Sequence, residues 1–332
     1  MSGTQRAGPI RLGLCLAAYG GAGLRAALTQ AAEHGTLCLD LPTDSTLGLV
    51  DPGRCLDDQG YLEELASVLA DLAARGWPVT CVSNSRDAQL LLGPHGAHTD
   101  GVLRGTAEEK RAHALRCALG SIRLAERVGA GAVRLLVGCP DFARWLSWWG
   151  SDVGWADNVA EFFVHAEPVL RAAREAGVTV LLEPHPKQII YDRASADLVF
   201  AAGSHWADVL GLCVDPANLA ATGYDAAGAV SGWGKRLVAV HAKDLQRWSG
   251  SGKPSGQGWS RYGPQPPIRF RALGLGILDW PGIVSMLIDE GFCGIVYAEH
   301  EDALLPREQS IRRTLGVLRA LLPTDIAEGR TW

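Results

Sequence analysis

Four residues able to bind a metal each close a short apolar run: Glu183 in LLEPHP, Asp215 in CVDPAN, His241 in AVHAKD and Glu299 in YAEHED. Three carboxylates and one imidazole form an oxygen-rich donor set. It suits Mn²⁺ best and also accommodates Co²⁺, Mg²⁺ or Zn²⁺. Carboxylates buried at strand ends without a cation would each cost roughly several kcal/mol, and one shared divalent ion removes that cost. Any one of the four, taken alone, is an ordinary polar residue at a strand end. The signal is the set, at matching positions of four successive runs.

Alternation along a strand puts residues i and i+2 on one face. His185 is therefore expected beside Glu183, as an acid–base group, a substrate donor or a partner of a metal ligand; a hydrogen-bonded rim histidine is the plain alternative. Lys243 is expected beside His241, where it would bind a substrate oxygen or neutralise a carboxylate. One of His300, Glu301 and Asp302 is expected to anchor a loop. Asp40 closes an earlier run, where it would accept a substrate hydroxyl or pair with a loop arginine. Arg269 and Arg271 straddle Phe270, and one of them, assigned as Arg271, would grip a phosphate or carboxylate of the substrate. The chain has eleven tryptophans, several of them near the expected rim: Trp145, Trp148, Trp149 and Trp155, then Trp248 and Trp259. Rim tryptophans, Trp145 foremost, would pack on a sugar ring or flat aglycone, or else pack loops down or form a dimer contact.

The elements needed to position these groups are legible as alternating apolar and amphipathic stretches. Strands are expected at 10–19, 36–43, 78–85, 132–140, 178–186, 211–219, 237–244 and 294–302. Helices lie between them. One has Leu62, Leu65, Leu69 and Leu72 at helical spacing, with Gly76 as its stop. Another opens on the capping box Thr106-x-x-Glu109, a further one covers 154–177, and the last starts at Pro306 with Ile311, Leu315 and Leu318 on one face. Apolar strands with helical crossovers imply a parallel sheet covered on both sides. The expected fold is α/β, a single (β/α)8 TIM barrel domain over residues 1–332, with active-site residues at the strands' carboxyl ends. An open doubly wound sheet is the alternative, but GGAG at 20–23 lacks the spacing of a dinucleotide-binding loop. The Gly-, Ser-, Pro-rich stretch 245–276 is too long for a plain connection and is expected to be an inserted loop or lid.

Composition narrows the partners. A net charge of -5 lacks the basic footprint of a nucleic-acid enzyme. None of the eight cysteines forms a C-x-x-C pair, which fits buried, reduced thiols in a cytoplasmic protein rather than a disulfide framework. No apolar run reaches the roughly 18 residues of a membrane helix, and the polar MSGTQRAG is a poor leader for the apolar stretch that follows.

The motifs E-P-H-P, V-D-P-A-N-L, V-H-A-K-D and A-E-H-E-D, in this order, resemble the xylose isomerase-like barrel superfamily, and within it the sugar phosphate isomerase/epimerase branch. The likeness extends over roughly 130–320, including GCP at 138–140 and F-R-A-L-G-x-G at 270–276. It implies that Glu183, Asp215, His241 and Glu299 hold the metal. It further implies that the two glutamates exchange a substrate proton, with carbohydrate metabolism as the setting. The family often has D-x-x-H after strand six, where the histidine binds substrate or further metal; Asn218 stands there instead. The loop after strand four has no histidine near Cys139–Pro140, where some deglycosidases carry a base. Arg247 follows His241 by six residues, the offset of a substrate-contacting arginine in ketose epimerases.

The leading expectation is a metal-dependent isomerase or epimerase acting on a sugar-like small molecule. Glu183 or Glu299 would remove the proton α to a carbonyl to give an enediolate, and the other glutamate or His185 would return one. A metal-dependent lyase, a keto-sugar dehydratase or C-glycoside deglycosidase, shares that first step. The third reading is a non-catalytic metal-binding partner subunit. Homo-oligomers and partner subunits both remain open.

Overall fold

A computed structural model describes residues 9–35, 37–145, 154–247 and 268–324. Eight parallel strands close into a TIM barrel: β1 (Arg11–Cys15), β2 (Cys38–Pro42), β3 (Val79–Asn84), β4 (Ala132–Leu135), β5 (Thr179–Leu182), β6 (Leu210–Val214), β7 (Leu237–Ala242) and, after an antiparallel hairpin of β8 (Asp244–Arg247) and β9 (Ile268–Arg271), β10 (Ile295–Ala298). The barrel order is β1-β10-β7-β6-β5-β4-β3-β2. Nine helices are described: α1 (Leu24–Ala32), α2 (Pro52–Asp57), α3 (Gln59–Ala74), α4 (Ala107–Val128), α5 (Trp155–Glu175), α6 (Arg193–Ala202), α7 (Pro216–Ala221), α8 (Trp280–Asp289) and α9 (Arg307–Leu321). The chain divides into two compact units, residues 15–213 and residues 1–14 with 214–332.

Within residues 15–213, local chemistry explains the helix ends. Thr106 Oγ1 accepts from Glu109 N at 3.2 Å while Glu109 Oε2 accepts from Thr106 N at 2.7 Å, so the expected capping box opens α4. That helix stops at Gly129, whose φ of 73° is left-handed and favours glycine. In α3 the expected stripe Leu62, Leu65, Leu69 and Leu72 is buried. The short α2 was not anticipated, although Asp51 caps it and Pro52 occupies its first turn, the arrangement that favours helix entry.

In the other unit, β10 pairs with β1 and β7, placing Tyr297 opposite His241. Pro306 caps α9, which buries Ile311, Leu315 and Leu318. The inserted loop expected at 245–276 needs correction at its ends, because Asp244–Arg247 pairs antiparallel with Ile268–Arg271. Residues 248–267, with Trp248 and Trp259, lie outside the described residues. The hairpin was hidden because only four residues form each strand and Gly, Ser and Pro dominate the sequence between them. The first strand is also shorter than expected: β1 ends at Cys15, and Leu16–Tyr19 forms a 3-10 turn. No described helix is long and apolar enough to cross a membrane, and all eight cysteines are free thiols.

Gly120 in mid-α4 records how closely α2 is seated. A Cβ there would lie 1.8 Å from the Pro52 carbonyl oxygen. Alanine is the better helix former, yet the close approach outweighs propensity. Gly120→Ala is expected to destabilise the fold by about 2–3 kcal/mol, measured by urea unfolding; an unchanged or raised midpoint would show that the helices separate at little cost.

Candidate functional site

Three of the four expected metal ligands come together around one lysine in the unit formed by residues 1–14 and 214–332. Asp215 immediately follows β6 and caps α7. Its Oδ1 accepts from Ala217 N at 2.8 Å and Asn218 N at 3.4 Å, and Pro216 occupies the first helical turn. The D-P-A-N sequence thus fixes the carboxylate by ordinary N-capping. Its Oδ2 lies 2.9 Å from Lys243 Nζ. His241, on β7, has Nδ1 3.3 Å from Glu299 Oε1, and its ring meets Tyr297 edge-on at 5.9 Å between centroids. Glu299 is held where β10 ends, its N–H donating to Ala242 O at 3.1 Å.

Lys243, with a side chain only 3% exposed, is the hub of this group. Its ammonium donates to Glu299 Oε2 at 2.8 Å, lies 2.6 Å from Glu301 Oε2, and stands 4.4 Å from the Phe270 ring centre. His241 and Lys243 both reach Glu299, as alternation predicted, and Lys243 does neutralise carboxylates. One ammonium serves two largely buried carboxylates, Asp215 and Glu299.

The donor set fits a divalent ion. Ligand atoms sharing one cation at bonds of roughly 2.1 Å stand about 3 Å apart, which the 3.3 Å His241–Glu299 separation matches. Asn218 is buried in the first turn of α7.

Glu183 belongs to the other unit, residues 15–213, and has its own cation. Arg134 on β4 donates from Nη1 to Glu183 Oε2 at 2.7 Å, and its Nε is 3.6 Å from Asp40 Oδ2. All three side chains are buried. Burial alone would lower the Arg134 pKa; the Glu183 and Asp40 carboxylates outweigh it and hold the guanidinium well above its usual value. Here too, one cation serves two buried carboxylates. Asp40 pairs with a strand arginine, not the loop arginine that was one of its two expected partners. Arg134 was missed from sequence, although a lone arginine inside the apolar run AVRLL was the available signal.

The expectation that alternation aligns His185 with Glu183 required a longer strand. β5 ends at Leu182, and a turn follows in which Lys187 has φ 71°. His185 Nδ1 is 2.6 Å from Pro186 O. A carbonyl only accepts, so Nδ1 carries the proton and a neutral ring presents Nε2 as its basic nitrogen.

The two arginines expected at the substrate hold the hairpin. Arg247 donates from Nη2 to Ala220 O. Arg271 donates to Asp302 Oδ2 at 3.1 Å and Gln246 Oε1 at 2.8 Å. Asp302 is the expected loop anchor, accepting also from Ala272, Leu304 and Leu305 N–H groups. Trp155 packs loops: its Nε1 donates to Ile189 O at 3.0 Å and its ring meets Tyr191 edge-on. The side chain of Trp145, and Trp148 and Trp149 entirely, lie outside the described residues.

Residues 28–321 match the model of the xylose isomerase-like TIM barrel. The chain belongs to this family. No curated protein matches it in sequence. Among solved structures it resembles the 3-keto-D-glucoside 4-epimerase YcjR from E. coli, with TM-score 0.64 and 16% identity over 94% of this chain and 99% of that one. It also resembles the probable 3-DHS dehydratase AsbF of Bacillus anthracis, with TM-score 0.63 and 15% identity over 93% and 99% of the two chains. A third neighbour is the IOLI protein with a zinc atom bound, at TM-score 0.62 and 16% identity over 94% and 98%. At these identities the likeness to individual structures concerns the fold.

Arg134→Met strands Glu183 and Asp40 without their cation. The expected loss is about 3–5 kcal/mol in urea unfolding. Adding Glu183→Gln removes one of the stranded charges and should recover part of it. A single-variant loss below about 1 kcal/mol would mean that the carboxylates are neutralised some other way.

Proposed function

We propose that this protein is a divalent-metal-dependent sugar isomerase or epimerase, with Asp215, His241 and Glu299 as metal ligands and Glu183 as the fourth. The convergence of Asp215, His241 and Glu299 on neighbouring atoms carries this reading. Glu183 is assigned from its place after β5 in the barrel order, the strand that precedes β6. Mn²⁺ is the preferred ion for this donor set.

When bound, the cation supplies a Lewis acid for a substrate carbonyl and its neighbouring hydroxyl. Glu183 or Glu299 takes the proton α to that carbonyl, and the other carboxyl group in its acid form, or His185 once its Nε2 has taken a proton from solvent, returns one. Lys243 steadies the Asp215 and Glu299 carboxylates and donates to substrate oxygen. Asn218, Arg247, Arg271, Trp145 and Asp40 remain candidate substrate contacts. The substrate class follows from the chemistry that chelation and α-proton removal require, and epimerases and a dehydratase share the fold. The second reading, a metal-dependent lyase, uses the same first step and expels a β leaving group; AsbF carries the name of such an activity.

The test is incubation with Mn²⁺ and a panel of ketoses and keto-glycosides in D₂O. Deuterium in a product of unchanged composition supports isomerisation, whereas an unsaturated product or free aglycone establishes the lyase. Glu299→Gln is expected to lower turnover at least about 100-fold, and chelator treatment should abolish it until Mn²⁺ is restored. Turnover that survives chelation would overturn the metal assignment. A metal-loaded protein inert to every substrate class would favour the non-catalytic subunit.

A further inference from the structure

A second donor set lies within residues 15–213. Asp87 follows β3, and His113 and Cys117 lie four residues apart in the first half of α4, a spacing that places both on one helix face. One donor atom from each of the three lies within 4.8 Å of the others. His113 Nε2 is 2.8 Å from Asp87 Oδ1 and 3.5 Å from Cys117 Sγ. Asp87 and Cys117 are buried, while His113 is 27% exposed. A cavity of about 530 Å³ runs alongside, lined by His113, Cys117, Ser45, Asp51, Tyr61 and Arg116 among others.

A nucleophilic Cys–His–Asp relay does not fit this geometry. A relay places acid and nucleophile on opposite ring nitrogens, and here both approach Nε2. Burial also pushes the Cys117 thiol well up, against thiolate formation in the absence of a cation. A plain structural anchor accounts for Asp87, which also accepts from Ser45 N at 2.7 Å, Ser45 Oγ at 2.6 Å and Asn84 Nδ2 at 3.3 Å. It does not account for a thiol set against the same imidazole nitrogen at a cavity wall.

We propose that Asp87, His113 and Cys117 form a Zn²⁺ site whose remaining coordination position opens on this cavity. Thiolate, imidazole and carboxylate are the donors Zn²⁺ takes. Tetrahedral Zn–N and Zn–S bonds put nitrogen and sulfur about 3.5–3.6 Å apart, close to the 3.5 Å observed. The 2.8 Å His113–Asp87 contact must open by about 0.6 Å when the ion replaces the shared proton. Ser45 supports the carboxylate at both oxygens, its N–H donating to Oδ2 and its hydroxyl to Oδ1, the oxygen that also faces His113, the outer support that metal ligands need. Binding releases the Cys117 thiol proton to solvent, and the Nε2 proton facing Asp87 exchanges through solvent onto Nδ1, so that His113 binds as the neutral imidazole.

The test is a Co²⁺ titration of the full chain, followed by near-UV absorption, in the wild type, Cys117→Ser, His113→Gln and Asp215→Asn. The strand-end ligands include no thiol, so a thiolate-to-cobalt charge-transfer band reports on this second site. The expected result is a band complete by two Co²⁺ per chain in the wild type and by one in Asp215→Asn, where it is retained, and bleached by Zn²⁺. It should vanish in Cys117→Ser and weaken in His113→Gln, with Zn²⁺ binding at least about 100-fold weaker in both. Circular dichroism of the two variants, with His113 partly exposed and serine nearly isosteric with cysteine, shows that each remains folded. No band in the wild type, or a band that survives Cys117→Ser, overturns the site. Loss of turnover in Asp215→Asn with the band intact concerns the strand-end centre alone.

Discussion

Buried carboxylates at the carboxyl ends of parallel strands demand positive charge, and this protein supplies it from its own chain. The Lys243 ammonium touches Asp215, Glu299 and Glu301, and the Arg134 guanidinium serves Glu183 and Asp40. The two cations differ in kind. An arginine fork is planar and permanently charged, so Arg134 is a rigid fixture of its group; a lysine is a point charge on a flexible stem, able to yield ground to another cation. At Asp215 and Glu299 an added divalent ion would share with Lys243 the carboxylates that the ammonium already holds.

The aspartates beside these groups do architectural work. Asp244, one residue beyond Lys243, is fully buried and accepts from the N–H groups of Leu245, Gly274, Gly276 and Leu278. Asp302 binds Ala272, Leu304, Leu305 and Arg271 from the other side of the same segment. These bonds satisfy backbone donors that an irregular buried loop would otherwise leave without partners. The motifs H-A-K-D and A-E-H-E-D therefore each contain two functions. Their first halves place His241, Lys243 and Glu299 together, and their final aspartates hold the hairpin and the loop after it.

Legibility in the sequence followed the range of the interaction. Local signals were read correctly: the Thr106–Glu109 capping box, the leucine stripe of α3, and strand ends marked by a polar residue after an apolar run. Arg134 escaped because its meaning lies in Asp40 and Glu183, far from it in sequence. His185 was read through alternation, but it lies in the turn after β5, where its Nδ1 meets Pro186 O. Asp87, His113 and Cys117 escaped for the same reason as Arg134: an i,i+4 pair on a helix has no chemical identity until a distant loop presents the third group.

The sequence by itself determined the α/β barrel class, the placement of Asp215, His241 and Glu299 at strand ends, and the shared side of His241 and Lys243. Hydrophobic period and capping are properties of neighbouring residues, and they survive without knowledge of the rest of the chain. Tertiary structure alone decided which cation meets which carboxylate, that Arg247 and Arg271 hold the hairpin, and that β8 and β9 pair at all. Ion pairing and strand pairing are choices among partners distant in sequence, and only the closed fold brings those partners within reach.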